Sequence, residues 1–134
     1  MQFTRKGDYA LKAMVYLADA KSKGPHTIDE ISENSNVPRH FLAKILKDLT
    51  RANLLIAVKG ARGGYVLARA SGEINLLQII EAVVGPLALN LCLEADDRCS
   101  ETQTCGLYPV WRKASEAITH VFENADLDSV CRGR

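Results

Sequence analysis

The stretch from Thr27 to Leu67 constrains the fold most tightly, because it carries the stop and start signals of two helices and a hairpin in quick succession. Thr27-Ile28-Asp29-Glu30 has the form of a capping box. The threonine hydroxyl caps a helix start and the glutamate three positions on reaches back to the cap. The short helix it opens carries Ile28 and Ile31 inward and ends near Asn34; Ser35-Asn36-Val37 supplies a turn. Pro38 suits the first turn of the next helix, where a missing N–H costs nothing. Over 38–52 that helix turns Phe41, Leu42, Ile45, Leu46 and Leu49 towards a core, and Arg39, His40, Lys44 and Lys47 away from it. A short helix, a tight turn and a basic amphipathic helix make a helix-turn-helix, whose second helix is the one shaped for a DNA major groove.

The residues that follow extend the motif. Leu54 to Val58 is apolar and partly β-branched, Lys59-Gly60-Ala61-Arg62-Gly63-Gly64 is a glycine-rich turn, and Tyr65-Val66-Leu67 returns. This reads as a β-hairpin wing. Lys59 and Arg62 can neutralise phosphates or enter a minor groove, and glycines such as Gly63 let a backbone approach phosphates closely. The same glycines also serve turn geometry. Ahead of the motif, Ala10, Leu11, Met14, Leu17 and Ala18 share one face of a helix over 5–20, and Lys21 to Pro25 form a turn.

Charge is unevenly spread. Residues 1–70 carry twelve Lys/Arg against six Asp/Glu, a net of +6, whereas 71–134 carry five against ten, a net of −5. Such a chain can offer a basic face to a polyanion while staying near neutral overall. No apolar run reaches the roughly 18 residues of a membrane span. The opening MQFTRKGDYALKAMVYLA has basic residues before an apolar stretch, but Asp8, Lys12 and Asp19 interrupt it. It therefore reads as an amphipathic helix of a cytoplasmic protein, not as a signal peptide.

In the second half, Ile74 to Val84 form an apolar helix ending at Gly85-Pro86, and residues 107–124 form another. On the latter, Trp111, Ala114, Ile118 and Val121 recur at helical spacing, flanked by Val110, Ala117 and Phe122. That stripe is about 27 Å long at the rise of an α-helix. Packing within the chain and packing against a second copy are the two ways to cover it. Between the helices lie Cys92, Cys99 and Cys105, with six and five residues in the gaps. Cysteines of a cytoplasmic chain argue against structural disulfides. Structural zinc favours pairs two to four residues apart, narrower than these gaps. Iron–sulfur clusters also take thiolates and accept varied spacing, so the spacing alone leaves zinc and a cluster open.

The run VPRHFLAKILKDLTRANLLIAVKGARGGYVLARA, with the opening MQFTRKGDYALKAMVYLA, resembles the IscR/NsrR/RirA family of bacterial winged-helix regulators. The glycine-rich wing followed by Tyr65 is the most specific element, and the resemblance runs over essentially the whole chain. It implies a mainly α winged helix-turn-helix with a small β-hairpin wing and a C-terminal dimerisation helix. Residues 1–70 would be the DNA-binding part and 71–134 the cluster-binding loop and dimerisation helices. It further implies a homodimer on near-palindromic double-stranded DNA and, in many members, an iron–sulfur cluster (2Fe–2S or 4Fe–4S); other branches carry none. In the IscR branch a histidine three residues after the last cysteine completes the site, and here Tyr108 stands there. NsrR-like members use an aspartate of the first helix, in trans, and Asp8 matches it, although a carboxylate in a first helical turn also simply suits the positive end of the helix dipole. Cys131 is a further thiolate in what reads as a frayed tail, and His120 lies about four turns along the last helix. One branch has glutamate at the position of Ala43, so its operator sequence does not transfer.

These readings assign Arg39, His40 and Lys44 to the major groove, Lys59, Arg62 and Gly63 to the wing contact, and Cys92, Cys99, Cys105 and Asp8 to a cluster sensing iron, redox or nitric oxide status. A zinc- or thiol-based regulator and a protein-interaction module are the alternatives. An enzyme is the least expected class, since the chain has no glycine-rich nucleotide loop after a strand, no nucleophile–base pair and little length left once the helices are assigned.

Overall fold

The computed structural model describes residues 4–20, 24–89, 93 and 103–133. Its helices are α1 (Arg5–Asp19), α2 (Ile28–Ser35), α3 (Arg39–Arg51), α4 (Leu76–Val83), α5 (Tyr108–Glu123) and α6 (Leu127–Arg132). The strands β1 (Leu55–Val58) and β2 (Gly64–Leu67) lie between α3 and α4, and a 3-10 turn spans Ser71–Glu73. α1 starts where the Thr4 hydroxyl accepts from Gly7 N–H. α2 starts at Thr27, whose hydroxyl accepts from Glu30 N–H, and ends on Asn36 in the left-handed conformation (φ 59°). That reversal at Asn36 sets α3 across α2, with Pro38 as the N-cap of α3, one place ahead of its first helical residue.

One half of the expected capping box is different. The Glu30 carboxylate bonds the imidazole of His26, Oε2 to Nδ1 at 3.2 Å. A complete box forms instead at the start of α4, where Asn75 Oδ1 accepts from Gln78 N–H and Gln78 Oε1 accepts from Asn75 N–H. Consequently α4 begins at Leu76, and Ile74 is extended rather than helical. Its carbonyl accepts from Leu127 N–H, and Leu76 N–H donates to Ala125, pairing the entry of α4 with the entry of α6.

A single apolar cluster holds the elements together. Ala10, Ala13, Met14 and Leu17 of α1, Ile31 of α2, Leu42, Ile45, Leu46 and Leu49 of α3 and Leu55 of β1 are buried with Ile74, Ile79, Val83 and Leu127. The core thus runs without a break across residue 70. The C-terminal segment, expected to fray, is a helix: Asp126 caps it by accepting from Ser129 N–H at 2.7 Å, and Leu127 is fully buried. Cys131 lies on it, its Sγ 3.8 Å from the Val15 carbonyl of α1.

Asp48 links α3 to α1. Its carboxylate lies 3.0 Å from Lys6 Nζ and 3.5 Å from Lys44 Nζ. Burial pushes its pKa up, but the hydrogen bond and charge of Lys6, helped by Lys44, outweigh it and hold the group below the ordinary 3.8. A depressed carboxylate contributes stability above its unfolded pKa and loses it as pH falls through the folded value. Asp48→Asn is therefore expected to cost about 1 kcal/mol at pH 7, with the gap from wild type closing below about pH 4, in urea unfolding followed against pH.

Candidate nucleic-acid interface and cysteine loop

α2, the turn at Asn36 and α3 form the helix-turn-helix. The inward face of α3 is closed by Leu42, Ile45, Leu46 and Leu49, and this leaves Arg39, His40, Lys44 and Lys47 exposed on the other side. They are not equivalent. Arg39 Nε is bonded to Asp29 Oδ1 of α2 at 2.6 Å, and Lys44 leans on Asp48. His40 packs its ring against Phe41, centroids 4.4 Å apart. Phe41 in turn meets Tyr9 of α1 edge-on, which fixes the start of α3 against α1.

The wing pairs Leu55 with Leu67, Ile56 with Val66, Ala57 with Tyr65 and Val58 with Gly64. Lys59 and Arg62 stand exposed at its tip, with no acidic partner among the described residues. A Cβ on Gly63 would lie 2.2 Å from the Val58 carbonyl oxygen, so glycine is required there by the hairpin itself.

Sequence reasoning missed the residue that anchors the wing. His26 pairs through its backbone with Tyr65, N–H to carbonyl at 3.1 Å and carbonyl from N–H at 2.8 Å, and so adds an outer rung to the hairpin. Its imidazole is buried, with Nδ1 3.2 Å from Tyr16 Oη of α1 and 3.2 Å from Glu30 of α2. Burial, and then the Glu30 charge, raise the Tyr16 pKa, which keeps the phenol protonated. One residue therefore ties the wing to both helices that support α3. Its only trace in the sequence is a histidine just before a helix cap, with no periodicity to mark it.

Of the cysteine loop, Cys92 and Cys99 lie outside the described residues. Cys105 is partly buried just ahead of α5, and its carbonyl accepts from Tyr108 N–H at 3.2 Å. Tyr108, which occupies the position of the absent histidine, is the first residue of α5. Asp8 sits in the first turn of α1, half-exposed and 2.9 Å from Lys12 Nζ. Among the described residues no three His, Cys, Asp or Glu side chains gather into a metal site. His120 is bonded to Asn124 on its own helix.

No residue of α5 is buried. Its outward seam is Leu107, Val110, Ala114, Ala117 and Val121, at alternating spacings of three and four, with Leu107, Val110 and Val121 more than 60% exposed. Of the expected stripe, Trp111 and Val121 are exposed together with the flanking Val110 and Ala117, whereas Ala114, Ile118 and Phe122 are half-buried.

A helix-turn-helix with a basic outer face and an anchored hairpin wing defines a winged-helix DNA-binding protein, and among the described residues no helix is long and apolar enough to cross a membrane. The chain belongs to the Rrf2 family of iron-dependent transcriptional regulators, whose model matches residues 3–133. It is therefore a regulator of transcription and not an enzyme. It is 33% identical to Protein aau3 of Rhizobium meliloti, over all of this chain and 87% of that protein. Among solved structures it is similar to CymR, the global cysteine regulator of B. subtilis (25% identity, TM-score 0.80, covering 100% of this chain and 98% of that one). It is also similar to T. potens IscR (28% identity, TM-score 0.78, covering 99% and 88%).

Lys59 and Arg62 allow a direct check of the wing. The double substitution to alanine is expected to weaken binding about equally on all DNA sequences. It should also lower the slope of log affinity against log salt by roughly two, one for each phosphate no longer neutralised. An unchanged slope would place the tip of the wing off the backbone.

Proposed function

We propose that this chain is a homodimeric transcriptional regulator whose affinity for a near-palindromic operator is set by an iron–sulfur cluster. Cys92, Cys99 and Cys105 supply three thiolates, and Asp8 of the partner subunit supplies the fourth ligand. The observation that carries this reading is the place of Cys105: its carbonyl is bonded into the first turn of α5, so whatever its thiolate binds is tied to that helix. α5 offers an exposed apolar seam at heptad-like spacing, suited to a second copy of itself, with Ala114 and Ala117 small enough for close approach.

The donor set fits such a group, since soft thiolates suit iron–sulfur clusters and the family is one of iron-dependent regulators. Asp8 is half-exposed, and giving up Lys12 would cost it little in water. Bound there, a cluster supplies a cross-link that iron shortage, oxidation or nitric oxide can dismantle. The chain's own residues do the rest. The loop between α4 and α5 sets the pose of α5, the α5 seam sets the separation of the two α3 helices, and Arg39, His40 and Lys44 meet the major groove. Lys59, Arg62 and the Gly63 backbone hold the wing on phosphates.

A thiol-based regulator without a cluster is the second reading, favoured by the likeness to the cysteine regulator of B. subtilis. Absorption and Mössbauer spectra of protein purified without oxygen separate the two. Wild type is expected to be coloured, Cys105→Ser to lose the chromophore, and Asp8→Ala to show a changed iron site. Colourless wild type would favour the thiol reading, and a spectrum unchanged in Asp8→Ala would remove Asp8 from the ligands.

A further inference from the structure

We infer that Asp29, on α2, is a specificity-determining residue: it grips Arg39 by one edge of its guanidinium and leaves the other edge free to read a base. The inference rests on the placement of α3 in the major groove proposed above. Arg39 is the first residue of α3 and Asp29 the second of α2, and the reversal at Asn36 brings their side chains together. The contact is Nε to Oδ1 at 2.6 Å, slightly shorter than the roughly 2.7–2.9 Å of most charge-assisted N–H···O bonds. A guanidinium carries five N–H donors in a rigid fork. The Asp29 bond engages the side of that fork, and no other partner holds Arg39 among the described residues. Its two terminal nitrogens therefore remain as an intact end-on pair, the shape that reads the O6 and N7 of guanine. His40 and Lys44 have no such support, since one rests on a neighbouring ring and the other is drawn towards Asp48 by a 3.5 Å contact.

Both side chains are more than 60% exposed, so in water the pair holds Arg39 only loosely. Its effect appears in the groove. Once water is excluded the same contact strengthens, and an arginine already oriented loses less freedom on forming a bidentate bond. Asp29 also carries a negative charge on the face that meets DNA, which opposes phosphates of any sequence. Its two effects therefore have opposite signs: it weakens binding to DNA in general and sharpens the choice among sequences.

The test separates the two by chemistry. Asp29→Asn keeps the Oδ1 acceptor and removes the charge; Asp29→Ala removes both. Full-length wild type, both variants and Arg39→Ala are each allowed to select from a random-sequence duplex library, and affinities are then measured on the selected operator and on unrelated DNA. Both Asp29 variants are expected to bind unrelated DNA more tightly than wild type. Asp29→Ala alone is expected to lose discrimination at one base pair per half-site, by about five- to a hundredfold, and at the same base pair as Arg39→Ala. Wild-type discrimination in Asp29→Ala, or equal losses in both Asp29 variants, would overturn the role of Asp29. Discrimination unchanged in Arg39→Ala would overturn it together with the assignment of Arg39 to a base, and so points to the failure of the underlying reading.

Discussion

Glutamate in place of Ala117 is expected to give a folded monomer that binds its operator at least about a hundredfold more weakly than wild type, the loss that follows when two linked half-sites are bound independently. Ala117 is exposed in the single chain and sits in the middle of the Leu107–Val110–Ala114–Ala117–Val121 seam. A charge there costs the isolated subunit almost nothing, since surface substitutions away from special features stay within about 0.5 kcal/mol. Within a helix pair, the same carboxylate would be buried against its symmetry mate without a partner, which closely packed cores do not tolerate. Sedimentation and thermal unfolding together decide the case. A variant that remains dimeric would show that the α5 seam is not where the copies meet, and one that unfolds would show that the seam is needed within the subunit.

The second large effect concerns the anchor of the wing. Gly64 has φ +149°, and a Cβ there would lie 2.3 Å from the His26 carbonyl oxygen and 2.9 Å from the Thr27 nitrogen. Neither neighbour is the tip of a flexible side chain, so something in the backbone must move. Gly64→Ala is expected to cost about 2–4 kcal/mol and to loosen the wing from α1 and α2. Gly60→Ala is the natural control. Gly60 also has positive φ (+111°), but nothing lies within 4 Å of the position of its Cβ. That change carries backbone strain alone, on the order of 1 kcal/mol. The difference between the two urea midpoints therefore reports the packing of the hairpin on His26, provided the m-values stay equal. Similar losses in both variants would mean that the contact with His26 contributes little.

What sequence can and cannot foresee divides along physical lines. The Thr27 cap, the turn at Asn36, the face of α3 and the hairpin are all legible because each depends on residues a few positions apart, where capping chemistry and periodicity leave a signature. The rung between His26 and Tyr65 is not legible. It joins residues far apart in the chain through backbone groups, and it also draws Glu30 away from the role that a capping box assigns it. For α5, periodicity finds the broad apolar stripe but not which part of it is left exposed, since a helix with apolar residues on more than half of its surface does not reveal which side its own domain covers. α6 reads as a loose tail because six residues rarely hold a helix in isolation. Its signal is present in Asp126 and Ser129, and its stability comes from Leu127 in the core and from packing on α1. The cysteine spacing is visible at once, but it names a class of ligand without naming the fourth donor.

The proposed cluster on the cysteine loop would change how tightly the protein holds its operator. The most direct measurement takes one oxygen-free preparation, divides it into cluster-loaded protein and protein stripped by a chelator, and determines operator affinity for both at a single salt concentration. The loaded species is expected to show an iron–sulfur chromophore and an operator affinity that differs from that of the stripped form by at least about fivefold, the lower end of ordinary coupling between sites. Cys105→Ser should give one affinity under both treatments. Equal affinities for the loaded and stripped wild type would rule out control of DNA binding by the cluster, however firmly the cluster is bound.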